Sequence, residues 1–383
     1  MGIASTKPVI IVSRTDRLGD ILLCFPAFYL LRARFPNAEI ILLIKKYTKD
    51  LLYNQKVIDR IVCIDDYKQK ELKNIIRQCK ADVFIALMTN SQTGKLALAS
   101  KAEIRIGPLS KFHSWFVYKN GLIQKRSLAR RNEAVYNLDL VSLIPGNLSK
   151  SSWLKNTLWR KQNAKITLDS NGVKAIKLYY QQEHINYAKS FLRENEIREH
   201  SFILIYPFSG CSAKNLSLEQ YLQLAIILQE SIKDIKIIFC SSYLDNYQQL
   251  RAMLPKSFAL FINDGSILNL VALIDRCSLF IGSSTGPTHI AGILGKKVVA
   301  IYPHIRNQSP QRWGIIGSRK VRYIQPYAPC FQKYGCKKNC KYYNCFDNID
   351  LAKAADNCLS LLGEADEEYG LHSEFYIPGY NDE

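Results

Sequence analysis

Two stretches and one lysine hold the residues most able to do chemistry. Asp20 ends the run Arg14-Thr15-Asp16-Arg17-Leu18-Gly19-Asp20, directly after an apolar segment, Lys7–Ser13, that reads as a first β-strand. A carboxylate at the carboxyl end of such a strand lies where open α/β sheets place their ligands, and it can take a proton from a hydroxyl. Its structural alternative is a helix cap, a common use of Asp after Gly. The second stretch is Phe280–Pro303, FIGSSTGPTHIAGILGKKVVAIYP. An apolar run stops at Ser283-Ser284-Thr285-Gly286, a helix-period segment follows, Gly295 closes it, and Val298–Tyr302 is again apolar and β-branched. Strand, tight turn, short helix and strand in that order bring backbone N–H groups and hydroxyls to a helix N-terminus. Such a terminus is suited to an anion, above all phosphate, although most such turns only cap. The third candidate is Lys214, at the end of a small-residue loop (Pro207 to Ala213) that follows another strand-like run, Phe202–Tyr206. A lysine there can meet a phosphate held by the Ser284–Gly286 turn.

The elements that must position these residues alternate. Strand-like runs recur at Glu39–Ile44, Arg60–Ile64, Asp82–Leu87 and Glu103–Ile106, with helical patterns such as Glu71–Cys79 between them and Asn132–Ile144 after them. Pro26 sits too far inside its apolar segment for a helix to run unbroken from Ile21. An irregular turn is therefore expected up to Phe25, with Pro26 in the first turn of the helix. A second series follows helix Tyr179–Ile197: strands Phe202–Tyr206, Ile235–Cys240 and Phe258–Ile262, helices Ser217–Ser231, Asn246–Leu254 and Ser266–Cys277, and then the stretch at Phe280. This alternation predicts two parallel-sheet α/β domains joined near residues 165–195. Only Gly19 follows the first strand, so the GxGxxG dinucleotide fingerprint is absent. Lys111–Arg131 has a weak pattern and a gathering of basic residues, which suits an exposed, substrate-facing loop.

The 383 residues carry 52 basic and 33 acidic side chains, a net charge of +19. Seven of the acidic residues lie in 363–383, which has no Lys or Arg, so residues 1–362 hold 52 basic against 26 acidic side chains, a surplus of +26. A surplus of that size implies an anionic partner. No RNA-binding signature accompanies the aromatic residues, and nucleic acid is not the partner expected. The apolar runs are strand-sized, far short of the ~18 residues that cross a bilayer. A cytoplasmic protein is expected, peripheral at the inner face of the cytoplasmic membrane. Eleven cysteines, an odd number, fit a reducing compartment. Four of them, Cys330, Cys336, Cys340 and Cys345, are spaced C-x₅-C-x₃-C-x₄-C. They lack the close C-x₂-C pairs of structural zinc sites, so free thiols are favoured over zinc or a disulfide.

Residues 10–40 (IIVSRTDRLGDILLCFPAFYLLRARFPNAEI) and 284–303 (STGPTHIAGILGKKVVAIYP) resemble glycosyltransferase family 9, the ADP-heptose:lipopolysaccharide heptosyltransferases and their relatives. The first carries the family's Gly-Asp, its Pro-Ala helix and its Phe-Pro-x-Ala-x-Ile run. The second carries the Gly-Pro-x-His-x-Ala segment, with Pro310-Gln311-Arg312-Trp313 at the usual distance. The resemblance runs from about residue 8 to about residue 355. It implies a GT-B architecture, two Rossmann-like parallel-sheet domains facing across a cleft: 1–175 binding the acceptor, 176–345 binding a nucleotide-sugar, 346–362 a helix packing back on the first domain, and 363–383 an acidic tail. It further implies metal-independent, inverting transfer of a sugar, a heptose first, from a nucleotide-diphosphate donor (ADP-heptose first) to a lipopolysaccharide core or related anionic glycolipid. No DxD motif is present and no cofactor is required. Asp20 is then the general base. Lys214, Ser284, Thr285, Gly286 and Thr288 hold the diphosphate, His289 touches it or locks the turn, and Asp245 is a candidate for a ribose hydroxyl. A monomer is expected. Ser284 stands where many heptosyltransferases carry Asp, which leaves the donor sugar open. A nucleotide-sugar epimerase of the same architecture and a non-catalytic nucleotide-sugar or glycolipid binder are the alternatives. The surplus charge counts against the first and Asp20 against the second.

Overall fold

The computed structural model describes residues 7–146, 176–209, 213–242, 247–327, 345–365 and 376–378. They fall into two units, residues 1–125 with 133–176 and residues 126–132 with 177–383. Asp245, Cys330, Cys336 and Cys340 lie outside the described residues.

The first unit is built on β1 (Val9–Ser13), β2 (Glu39–Ile44), β3 (Arg60–Cys63), β4 (Val83–Ala86), β5 (Ile104–Pro108) and β6 (Asn120–Leu122), paired in the order β3-β2-β1-β4-β5-β6. Every pairing is parallel, with Ile10 in register with Ile40 on one side and Val83 on the other. Parallel strands need crossovers that cover both faces, so their residues are apolar without alternation. The central strands accordingly bury nearly every residue. The order reverses between β1 and β4, and the crevice at their carboxyl ends is the ligand position of a doubly wound sheet.

Leu18–Leu22 is a short helix where an irregular turn was expected. Asp20 makes the difference. It is the third helical residue, and its carboxylate accepts the otherwise orphaned N–H of Arg17 at 3.3 Å. The following helix, Phe25–Arg34, has Pro26 in its first turn. Strands Asn120–Leu122 and Val321–Ile324 were not expected; each is short and lacks a clean period.

The second unit repeats the plan with β7 (Phe202–Tyr206), β8 (Lys236–Ser241), β9 (Ala259–Ile262), β10 (Leu279–Ser283), β11 (Lys297–Ile301) and β12 (Val321–Ile324), all parallel, in the order β12-β11-β10-β7-β8-β9. Counted from its own first strand this is again 3-2-1-4-5-6, and the reversal lies between β7 and β10. Helix Leu218–Ser231 begins with a reciprocal cap, Ser217 Oγ accepting from Gln220 N at 3.2 Å while the Gln220 side chain accepts from Ser217 N at 2.9 Å. Helix Leu351–Gly363 packs within the second unit. Its apolar stripe of Ala354, Ala355, Cys358 and Leu361 is buried in the core beneath helix Leu218–Ser231, and Lys297 Nζ donates to the Leu362 and Glu364 carbonyls at its end. Cys345 is buried in the same core. Among the described residues no helix is long and apolar enough to cross a membrane.

Candidate active site

At the first sheet's reversal, β1 ends at Ser13 and the next side chain, Arg14, is buried despite its charge. Burying a guanidinium is costly unless it is paired. Arg14 meets a carboxylate at each of its nitrogens: Nε donates to Asp16 at 2.7 Å, Nη2 pairs with Asp20, and Nη1 donates to Glu133 at 3.2 Å and to the Asn137 side-chain carbonyl at 3.2 Å. Burial works against its charge. The carboxylates of Asp16, Asp20 and Glu133 outweigh that and hold its pKa above the ordinary arginine value. Asp16, with about 22% of its side chain exposed, is the most open of the three acids. Burial and the neighbouring Asp20 charge push its carboxyl up to about 6, against the pull of Arg14. Asn137 also donates to the Leu23 carbonyl at 3.2 Å, tying helix Glu133–Ser142 to the Asp20 turn. Behind the turn, the Cys24 thiol, pushed up by burial, donates to the Asp20 carbonyl at 3.1 Å.

Asp20 was expected here; Arg14, Asp16, Glu133 and Asn137 were not assigned roles. A signal for Arg14 was present, since a charge that directly continues an apolar strand must find partners. Nothing in the sequence says that its partner lies 119 residues away in Glu133.

The second reversal is built differently. Helix Gly286–Ile293 starts directly after β10 and the turn at Ser284 and Thr285. Gly282 has no room for a side chain, since an added Cβ would lie 2.9 Å from the Thr288 hydroxyl and from the Phe280 ring. That close approach seats the helix on the strand. The hydroxyls are largely spent inside the turn. Thr288 Oγ1 donates to the Ser283 carbonyl, Thr285 and Thr288 hydroxyls lie 3.1 Å apart, and Ser284 bonds the buried phenol of Tyr302. Of the first helical residues, Pro287 has no N–H and His289 N donates to the Thr285 carbonyl at 3.2 Å, which leaves the Gly286 and Thr288 N–H groups without a helical acceptor.

His289 is 3% exposed, and burial lowers its pKa to about 4. It is a neutral imidazole whose Nδ1 has no partner among the described residues, so it adds no positive charge to an anion. Lys214 is half-buried, its backbone N donating to the Gln308 side chain at 3.4 Å. Among the described residues its ammonium group makes no ion pair. The adjacent Asn215 is pinned by the Pro207 carbonyl at 2.7 Å and the Tyr221 hydroxyl at 2.8 Å, which fixes the end of the β7 loop. Beyond β11, Tyr302 donates to the Trp313 carbonyl at 2.6 Å, and the Arg312 guanidinium lies over the Trp313 ring, 4.6 Å from its centre. Among the described residues no cluster of three His, Cys, Asp or Glu is placed to hold a metal ion.

A sequence model of glycosyltransferase family 9 (heptosyltransferase) matches residues 70–342. The chain belongs to this family. A protein of Haemophilus influenzae named as a candidate glycosyltransferase is 28% identical over 314 residues, covering 79% of this chain and 85% of that one. The crystal structure of a family 9 glycosyl transferase from Veillonella parvula superposes with a TM-score of 0.71 at 18% identity, over 93% of this chain and 97% of that one. The ADP-heptose lipopolysaccharide heptosyltransferase II of Escherichia coli follows at 0.66 and 16%, over 93% and 98%. At such identities the structural likeness is one of fold, and that fold is the GT-B type, α/β with two parallel doubly wound sheets. The family model begins at residue 70, so Asp20 stands on its own geometry.

Proposed function

We propose that this family 9 glycosyltransferase moves a sugar, with inversion and without a metal, from a nucleotide-diphosphate donor to a hydroxyl of a lipopolysaccharide core or related anionic glycolipid. ADP-heptose is the first donor to test, because it is named for the Escherichia coli relative. Ser284 in place of a common family Asp makes other nucleotide-sugars the second choice. The work is done in the cytoplasm, at the inner face of the membrane that carries the acceptor.

The observation that carries this reading is the Arg14–Asp20 pair at the reversal of the first sheet. Asp20 takes the proton of the acceptor hydroxyl. The freed oxygen attacks the anomeric carbon, the bond to the diphosphate breaks, and its electron pair goes to the β-phosphate oxygen. Arg14 is a positioning residue: it holds one Asp20 oxygen while the other takes the Arg17 N–H. When Asp20 accepts the proton, Arg14 keeps Asp16 and Glu133 as partners, so no unpaired cation is left buried. The departing diphosphate is received by the Gly286 and Thr288 N–H groups and by Lys214. Thr285 and Ser284 shape that turn, His289 backs it as a neutral group, and Asp245 remains the candidate for the ribose.

The test is incubation with ADP-heptose, UDP-sugars and GDP-sugars, each with and without lipopolysaccharide core. Nucleoside diphosphate released only with acceptor supports transfer. Conversion of free nucleotide-sugar, or thermal stabilisation without turnover, would replace it with an epimerase or a binder.

A further inference from the structure

The segment between β5 and β6 has its polarity inverted relative to a normal surface loop. Phe112, Trp115 and Phe116 are 82, 51 and 72% exposed, and Ile123, just past β6, is 59% exposed. Over the same residues Ser114 and Tyr118 are fully buried. The segment is firmly seated. Tyr118 packs flat on Gly107, where a Cβ would lie 2.8 Å from its ring, and its hydroxyl lies 3.2 Å from that of Thr89. Arg105 Nε donates to the Val117 carbonyl at 2.8 Å. Short helix Ser114–Val117 therefore presents Trp115 and Phe116 outward on a fixed base, with the Phe112 ring edge-on to Phe116 at 5.3 Å.

Exposed aromatic residues gathered in one place mark an interaction site rather than ordinary surface. The charges around these say for what. Leu109–Lys125 contains no Asp or Glu, and its Lys111, Lys119 and Lys125 are all exposed. Lys95, on the helix against which Val117 packs, is exposed too. A second copy of this chain would bring its own lysines against these. Rings that enter the headgroup layer while lysines stay at its surface are the pattern of interfacial anchoring on anionic lipid.

We propose that Phe112, Trp115 and Phe116, in a segment that also exposes Lys111, Lys119 and Lys125, dock the first unit on an anionic phospholipid bilayer. Docking there would carry the chain to a lipid-borne acceptor, and in that purpose the proposal rests on the glycolipid reading. Its test does not, because it needs neither donor nor turnover.

The full chain would be sedimented with vesicles of phosphatidylethanolamine and phosphatidylglycerol (3:1), and with phosphatidylcholine alone, in low and high salt. The expected result is binding to the anionic vesicles only, falling steeply with salt. The triple variant F112S/W115S/F116S and the double variant K111E/K119E should each bind at least tenfold more weakly, with unchanged thermal unfolding. Brominated acyl chains should quench the parent's tryptophan fluorescence, and W115F should lose most of that quenching. Equal vesicle binding by the triple variant, or equal quenching in W115F, would overturn the proposal in favour of diffuse attraction by the basic chain. A parent dimer that the triple variant dissolves would overturn it in favour of self-association. No turnover by any variant, with vesicle binding as expected, would count against the transferase reading alone.

Discussion

The two sheets share one strand order, yet their reversals hold opposite chemistry. At β1 and β4 the chain buries a cation and surrounds it with Asp16, Asp20 and Glu133, so the site is dense in charge and answers itself. Among the described residues at β7 and β10 there is no such cluster. The hydroxyls of Thr285 and Thr288 satisfy the turn, His289 is neutral, and the backbone N–H groups at the start of the helix keep no helical acceptor. Strand order thus sets where the two reversals lie, and the residues after each strand set their chemistry. A self-compensated carboxylate cluster can move a proton at low cost, whereas an uncompensated helix start invites an anion.

The contrast is broken most severely by Arg14→Ala. Three carboxylates would lose their common partner, and removing one side of a buried ion pair costs about 3–5 kcal/mol. The midpoint of chemical unfolding should fall accordingly, and transfer should be lost with it. An unchanged midpoint would mean that the first reversal is not held together by this pairing.

Asp20→Asn should leave folding and donor binding nearly as they are and lower turnover at saturating acceptor by about 10²–10⁴-fold, the scale of general-base assistance. Turnover within a few-fold of the parent would reduce Asp20 to a helix-capping group.

Acidity should act on the two reversals in opposite senses. His289 is held near 4 in the folded protein against about 6.5 in an unfolded chain, so the unfolded state binds the proton first. Its burial therefore costs nothing above about pH 6.5 and removes stability as pH falls toward 4, about 3 kcal/mol in all. Asp16, raised to about 6, is the reverse: the folded state keeps a proton that the unfolded chain releases near 3.9, so its share of stability is present at low pH and lost as pH rises through 6. Unfolding measured from pH 4 to 7 in His289→Gln should lose part of the acid sensitivity, and Asp16→Asn should increase it. Identical profiles in both variants would show that neither group sets the pH response.

The smallest expected effect is at Lys214. Its change to Ala should weaken donor binding about 10–100-fold, the scale of one hydrogen bond to a charged group, and should slow transfer in step. Donor affinity unchanged by calorimetry would place Lys214 outside the phosphate site and leave the backbone N–H groups to hold it alone.

What the sequence determined by itself was local in origin. Apolar strand runs alternating with helical periods announced two parallel α/β units, because a strand buried on both faces must be apolar throughout. Gly19-Asp20, and Ser284 to Gly286 before Pro287, marked the helix starts that follow β1 and β10 by turn and cap chemistry that acts within a few residues. Tertiary structure decided the rest. Arg14 could be read as another basic surface residue until Glu133 and Asn137, more than a hundred residues on, were brought against it. His289 has the composition of a phosphate ligand and becomes a neutral core group only when the helix is seated on Gly282. The stretch after β5 reads as an exposed basic loop, and only the burial of Ser114 and Tyr118 shows that it is seated with Phe112, Trp115 and Phe116 outward. Helix Leu351–Gly363 carries an apolar stripe that any groove of the right width would satisfy, and contacts distant in the chain gave it to the second core. Burial is a property of the assembled fold, and the side chains whose charge or exposure depends on it cannot be assigned from neighbours in sequence.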